Sequence, residues 1–206
     1  MTVGLGSGRA AWAVLELLRG RGVRAAVASS RTEELALAAG IEVVEPDGSL
    51  RLALAIDGAD EVDPQLGLIK GGGAALLREK LLVLAADRFV VVCEEPKRVR
   101  RLGETRGLPV EVVRFAWGDT RRRLLSLVPS AELRVEQDGS PLVTDEGNCL
   151  IDVELPRSGD LGELAAALKS TVGVVEHGLF LGLASLALVG QDDGSVVRLE
   201  PPASRS

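Results

Sequence analysis

The sequence predicts an α/β fold, a Rossmann-like open parallel sheet domain joined to a smaller α+β (ferredoxin-like) domain, and three observations carry the prediction. In the first half, short apolar runs alternate with helical patterns, which implies parallel strands linked by helical crossovers on both faces. The second half changes to strand, helix, a group of strands and another helix, the rhythm of a small α+β layer. With 206 residues and 46% hydrophobic side chains, the chain can fill one large core or two smaller ones.

The elements follow in order. TVGLG is a strand, and AAWAVLELLRGRG is an amphipathic helix closed by Gly20 and Gly22. VRAAVASS is a second strand, TEELALAAG a helix with Thr32 as its N-cap and Gly40 past its end, and IEVVE a third strand. LALAID, the helix AALLREKLLVLAAD and the apolar strand FVVVC complete the first half. LPVEVVRFA then reads as an alternating strand and DTRRRLLSLVP as a helix. ELRVEQDGSPLVTDEGNCLIDVEL holds two or three strands turned at Asp138-Gly139 and Glu146-Gly147, and LGELAAALKSTVG is the last helix. LASLALVGQDDGSVVRLE offers two more strands, and PPASRS is expected to fray. The domain division this implies is residues 1–107 plus 180–206 for the Rossmann-like catalytic domain and 108–179 for the small domain.

Composition narrows the function. The formal charge is −6, with 24 Lys plus Arg against 30 Asp plus Glu, and no basic stripe or aromatic platform suggests nucleic acid. A small anionic ligand is compatible with that balance, because a few cations and backbone N–H groups can bind it locally. Cys93 and Cys149 lie far apart in apolar surroundings, which predicts reduced thiols and a cytoplasmic location. The start MTVGLGSGRA has no charged region ahead of an apolar run, and no segment has about 18 uninterrupted apolar residues, so neither secretion nor a membrane partner is expected. One histidine and two cysteines make a zinc site unexpected.

Three features fall at the carboxyl ends of predicted parallel strands, the rim where open α/β sheets bind ligands. GLGSGRAA (residues 4–11) would turn tightly and aim N–H groups at a phosphate over a helix N-terminus, with Arg9 adding a charge. It also suits a dinucleotide loop or a plain strand-to-helix turn. Against a dinucleotide, the second strand ends at Ser29-Ser30 with no acidic residue for a ribose hydroxyl. In ALAIDGADEVD (residues 53–63), Asp57 and Asp60 lie on a loop bent at Gly58 and would face one pocket, while Glu61 and Asp63 point to solvent. A solvated acidic turn is the competing interpretation. In IKGGGAALLREK (residues 69–80), Gly71, Gly72 and Gly73 would let a ligand approach the backbone, and Lys70 would place a cation beside the aspartates. Gly72, Ala75 and Glu79 share a helical face, so small residues leave a lane to a carboxylate that would serve as a base or as an ordinary surface glutamate.

GLGSGRAA, SSRTEEL, DGADEVD, KGGGAALLREK, LPVEVV and VVEHGLF occur in the order and spacing of the type A ribose-5-phosphate isomerases, and the chain resembles that family from Val3 to about Val189. The resemblance implies interconversion of D-ribose 5-phosphate and D-ribulose 5-phosphate in the pentose phosphate pathway, a small-molecule sugar phosphate as the partner, no metal or organic cofactor, and a homodimer or homotetramer. It makes Glu79 the general base between C2 and C1, and Asp57, Asp60 and Lys70 the groups that bind and polarise the sugar, with Asp57 assisting ring opening. It assigns substrate binding to Ser7, Gly8, Arg9, Ala10, Gly58, Ala59, Gly71, Gly72, Gly73, Lys97, Ser29, Ser30 and Thr32.

The chain departs from the family's pattern in three places. An additional helix usually precedes the first strand, so a late start or a missing packing element is expected. Arg9 and Ala10 replace two hydroxyl residues of the phosphate loop, and the EEP before Lys97 places two extra negative charges nearby. These departures keep two alternatives beside the isomerase: a catalytically weak sugar-phosphate sensor and a related amino-sugar-phosphate deaminase. His177 stands in no matched motif and is expected to be an ordinary surface or interface histidine.

Overall fold

A computed structural model of the chain describes residues 1–48 and 50–202. The last four residues of the tail expected to fray lie outside the described residues. Among the described residues there are three sheets and five α-helices, and no helix is long and apolar enough to cross a membrane.

The largest sheet has the order β14-β13-β7-β4-β1-β2-β3, from β1 (Thr2–Leu5), β2 (Arg24–Val27), β3 (Glu42–Val43), β4 (Leu54–Asp57), β7 (Phe89–Glu94), β13 (Leu186–Gly190) and β14 (Val196–Leu199). Neighbours pair in parallel except for β14, which turns back antiparallel on β13. This is the doubly wound order, with its switch point between β1 and β4. Helices α1 (Arg9–Leu18), α2 (Ser30–Ala38) and α3 (Leu76–Leu84) supply crossovers. The expected strand IEVVE shrinks to two paired residues at the sheet edge.

The helix after β2 starts earlier than its sequence suggests. Ser29, not Thr32, is the N-cap: it is extended (φ −151°, ψ 153°) and its Oγ accepts the Thr32 N–H at 3.1 Å. Thr32 is buried within the first turn, where its hydroxyl donates to Gly6 O at 3.0 Å and accepts from Trp12 Nε1 at 3.1 Å.

The second sheet is antiparallel, in the order β11-β8-β10-β9, from β8 (Leu108–Val112), β9 (Ala131–Leu133), β10 (Cys149–Val153) and β11 (Val174–His177). With α4 (Trp117–Leu124) after β8 and α5 (Leu161–Ser170) after β10, it forms a ferredoxin-like β-α-β-β-α-β unit. Both predicted turns are present, with Gly139 (φ 83°) and Gly147 (φ 78°) in the left-handed region that glycine favours.

The third sheet, absent from the sequence expectation, joins three two-residue strands, β5 (Glu61–Val62), β6 (Leu68–Ile69) and β12 (Leu179–Phe180). Because side chains alternate across a strand, Leu68 and Phe180 enter the core of the large sheet, while Ile69 and Leu179 enter that of the antiparallel sheet. All four are almost fully buried, each contributing on the order of 2 kcal/mol. This short ladder therefore fixes Lys70, the next residue after β6, between the two cores.

Candidate active site

The site forms at the carboxyl rim of the large sheet, on either side of the switch point. β1 delivers Gly6 and Ser7, β4 delivers Asp57 to Asp60, and the segment after β6 delivers Lys70 and the three glycines. A cavity of about 530 Å³ opens there, lined by Ser7, Gly8, Arg9 and Ala10 on one side, Gly58, Ala59 and Asp60 on the second, and Lys70 to Gly73 with Glu79 on the third. Lys97, from a short 3-10 turn after β7 (Glu95–Lys97), closes a fourth edge.

Lys70 is the hub. Its side chain is 3% exposed, and its Nζ lies 2.6 Å from Asp57 Oδ2, 3.3 Å from Glu79 Oε2 and 2.7 Å from Gly58 O, to which it donates. The Phe180 ring centroid is 5.6 Å away. Both carboxylate contacts are ion pairs off the hydrogen-bonding direction, so Asp57 Oδ2 and Glu79 Oε2 are satisfied by charge and not by an aligned donor. Burial pulls the lysine down, but Asp57 and Glu79 outweigh it and push Lys70 up to about 12, so it stays cationic. Burial and the neighbouring Glu79 raise Asp57 well above the usual carboxylate range, to about 7, against the opposing pull of Lys70.

Glu79 stands in the first turn of α3, where the helix dipole favours a negative charge. Ser7 Oγ donates to its Oε1 at 2.6 Å, so the loop after β1 and the helix after β6 meet through this contact. Asp60 lines the cavity, its Oδ2 accepting the Gly72 N–H at 2.7 Å. A side chain at Gly72 would meet that carboxylate at 2.6 Å, and Gly71 (φ 103°) would meet Leu76 at 2.8 Å. Gly71 is thus required by its backbone conformation and packing, and a side chain at Gly72 would push the Asp60 carboxylate aside.

Not every expected residue reaches the cavity. Asp57 is 2% exposed and sits behind Lys70, so it does not line the space where a ligand would lie. Ser29, Ser30 and Thr32 are away from it: Ser29 caps α2, Thr32 bonds Gly6 O, and Ser30 gives both its N–H (2.9 Å) and its hydroxyl (3.1 Å) to Asp145 Oδ2. Glu61, expected in solvent, is fully buried. Its carboxylate accepts from Gly103 N (2.6 Å), Thr105 N (2.6 Å), Thr105 Oγ1 (2.7 Å) and Arg106 N (2.8 Å), which anchors the segment leading into β8. Asp63 Oδ1 accepts from Gln65 N and Gly67 N and shapes the β5–β6 turn. His177, expected at the surface or at an interface, is 6% exposed within the chain itself; burial and the adjacent Lys80 hold it down at about 4.

Sequence reasoning missed other lining residues, Val92, Cys93 and Glu94 from β7, Leu188 and Gly190 from β13, and Val196. Their signal was the rule that brought the other loops together, because β7 and β13 end at the same rim, but using it requires the strand order. Of the two glutamates before Lys97, Glu94 faces Arg9 at 4.0 Å across the cavity mouth, with both side chains exposed. Glu95 turns away to Arg98 (3.0 Å) and Gln191 (2.8 Å).

A buried lysine joining two carboxylates, beside a glycine loop and a helix N-terminus, defines an α/β enzyme suited to proton transfer on a small anionic substrate. The sequence profile of ribose 5-phosphate isomerase A (phosphoriboisomerase A) matches residues 25–194, and the chain belongs to that isomerase family. Ribose-5-phosphate isomerase A of Roseiflexus sp. (strain RS-1) is 45% identical over 212 residues, covering all of this chain and 91% of that protein. Ribose 5-phosphate isomerase from Plasmodium falciparum superposes with a TM-score of 0.92 at 32% identity, over 97% of this chain and 90% of that one. A D-ribose-5-phosphate isomerase in complex with phospho-erythronic acid superposes with a TM-score of 0.91 at 36% identity, over 97% and 90%.

Proposed function

We propose that the chain interconverts D-ribose 5-phosphate and D-ribulose 5-phosphate through an enediolate, with Glu79 as the general base. The observation that carries this is the placement of Glu79: it lines the cavity, is 4% exposed, is oriented by Ser7 and lies 3.3 Å from a lysine that remains cationic. Aldose–ketose isomerisation needs a base beside a C–H made acidic by a carbonyl, and fixed positive charge where the oxygen becomes negative.

In the forward direction the Glu79 carboxylate takes the proton from C2 of the open-chain aldose. The C–H electron pair becomes the C1–C2 double bond, and the carbonyl pair moves onto O1. Glu79 then returns its proton to C1, while the O2 proton leaves as the C2 carbonyl forms and O1 is protonated. Lys70 stabilises the enediolate oxygen in both half-reactions. Asp60 has one oxygen held by Gly72 N–H and the other available to a sugar hydroxyl, which suits it to ring opening. Asp57, buried behind Lys70, acts through the lysine by setting its position and charge.

The phosphate belongs over the N-terminus of α1, where Ser7 to Ala10 line the cavity and Arg9 and Lys97 supply positive charge. Arg9 thereby takes over binding that hydroxyl groups would otherwise provide. That a D-ribose-5-phosphate isomerase of the same fold was solved in complex with phospho-erythronic acid supports a phosphorylated ligand. The proposal keeps the division into residues 1–107 plus 180–206 and 108–179, which the origin of the strands in the two larger sheets supports. It also keeps a homodimeric or homotetrameric assembly and a reducing cytoplasmic location, the latter suited to two free, buried cysteines.

The test is turnover of ribose 5-phosphate and of ribose, followed by the ketose formed. Conversion of the phosphate ester, with ribose handled at a KM at least about a hundredfold higher because its charge contacts are missing, is the expected result. Failure to form ribulose 5-phosphate would contradict the proposal.

A further inference from the structure

No sequence motif marks Arg134, yet it touches the glycine loop of the site. It follows β9 in the antiparallel sheet, and its side chain is 18% exposed. Asp152 on the neighbouring β10 grips it with two bonds, Nε to Oδ2 at 2.8 Å and Nη2 to Oδ1 at 2.5 Å. The remaining Nη1 donates to Gly71 O at 2.9 Å and Gly72 O at 3.2 Å.

Those two carbonyls determine what the loop presents to the cavity. In a planar trans peptide the C=O and the following N–H point in opposite directions, and no peptide bond among the described residues is cis. Turning the Gly71 and Gly72 carbonyls toward Arg134 therefore turns the N–H groups of Gly72 and Gly73 away from it. The Gly72 N–H does meet Asp60 Oδ2, at 2.7 Å. Gly73 lines the cavity and is exposed. An arginine suits this task better than a lysine, because its rigid fork can be gripped by a carboxylate on one side and still donate on the other.

We propose that Arg134 is a positioning residue for the isomerase site: held by Asp152, it aligns the Gly71–Gly73 loop so that the Gly72 N–H fixes Asp60 and the Gly73 N–H donates to the sugar oxygen that gains charge in the enediolate. The inference rests on the isomerase mechanism proposed above and deepens it, since it gives the antiparallel sheet a direct part in the chemistry. A donor held ready for developing charge strengthens in the transition state, so its loss reduces kcat more than it raises KM.

The experiment compares wild type, Arg134→Ala, Arg134→Lys, Asp152→Asn and Glu79→Gln in steady-state conversion of ribose 5-phosphate, each assayed below its own unfolding midpoint. Arg134→Ala is expected to lose roughly tenfold to a hundredfold in kcat, as for a small misplacement of reacting groups. Its KM is expected to stay within about threefold of wild type. Arg134→Lys and Asp152→Asn should show smaller losses of the same kind, and they decide the matter if Arg134→Ala does not fold. A clamp that merely ties the two sheets together would lower the unfolding midpoint and leave kcat per folded molecule at the wild-type value. That result, or a rise in KM with kcat held, overturns the inference. If wild type forms no ribulose 5-phosphate, the underlying mechanism fails instead. If wild type is active, Glu79→Gln is inert and the Arg134 and Asp152 variants match wild type, this inference alone fails.

Discussion

Gly6 and Asp57 are packed so closely that a methyl group on Gly6 would lie 1.7 Å from Asp57 Cγ. The last residue of β4 folds its side chain over the first residue after β1, and this is possible because Gly6 carries no side chain. The glycine often attributed to phosphate binding in such loops here makes room for a carboxylate that sets the charge of Lys70.

Gly6→Ala must therefore displace Asp57 from Lys70. We expect a loss of about 1–3 kcal/mol in unfolding free energy from overpacking, together with a fall in kcat of tenfold or more, measured by urea denaturation and steady-state assay. Gly118→Ala, where an added methyl meets nothing within 4 Å, is the control. It should retain full activity and change stability by no more than about 1 kcal/mol.

Removing the hub should cost stability as well as activity. Lys70→Met leaves Asp57 and Glu79 buried without their cation, and breaking such a pair costs about 3–5 kcal/mol. The deficit should shrink as the pH is lowered from 8 to 5.5, because Lys70 holds Asp57 down in the wild type, so without it the buried carboxyl rises further and the variant gains more stability from protonation than the wild type does. Urea unfolding of wild type and variant at both pH values measures it. A deficit that grows on acidification would contradict this assignment of charge.

Glu61→Gln tests the buried anchor. Four donors converge on two carboxylate oxygens, and an amide would turn its own N–H₂ group toward some of them. A loss of about 2–3 kcal/mol is expected in denaturant unfolding.

His177 makes stability depend on pH in a defined direction. Its folded value, about 4, is below the ordinary 6.5, so between those values the unfolded chain binds the additional proton. The contribution is complete above pH 6.5 and is lost as the pH falls toward 4, amounting to about 2 kcal/mol by pH 5. Unfolding free energies of wild type and His177→Gln between pH 8 and 5 should converge by that amount on acidification, and parallel curves would rule the contribution out.

Alternating apolar runs and helical periods suffice to give both layers of the fold, because strands such as FVVVC and helices such as AALLREKLLVLAAD carry their pattern locally. The third sheet was not legible, because strands of two residues have no period and β6 with β12 depends on residues 110 positions apart. In the site, the local triplets of glycines and the residues Asp60, Lys70 and Glu79 stood out from motif spacing, and the structure gathers them around one cavity. The carboxylates of DGADEVD misled because burial is a property of packing: Asp57 lies under Lys70 and Glu61 inside a loop more than forty residues further along the chain. Ser29, Ser30 and Thr32 had the right chemistry for a phosphate, but capping α2, bonding Gly6 O and docking Asp145 already occupy them. Arg134 has no neighbouring motif, and its part emerges once the antiparallel sheet is placed against the glycine loop.

Glu79→Gln tests the central claim most directly, since it keeps the size of the side chain and can still accept from Ser7 Oγ while removing the base. In a steady-state assay of ribose 5-phosphate conversion, kcat should fall by about 10²–10⁴-fold with KM changed little, in a protein that unfolds at or near the wild-type midpoint. A Glu79→Gln variant that is folded and turns over at the wild-type rate would contradict the assignment of the base and the mechanism built on it.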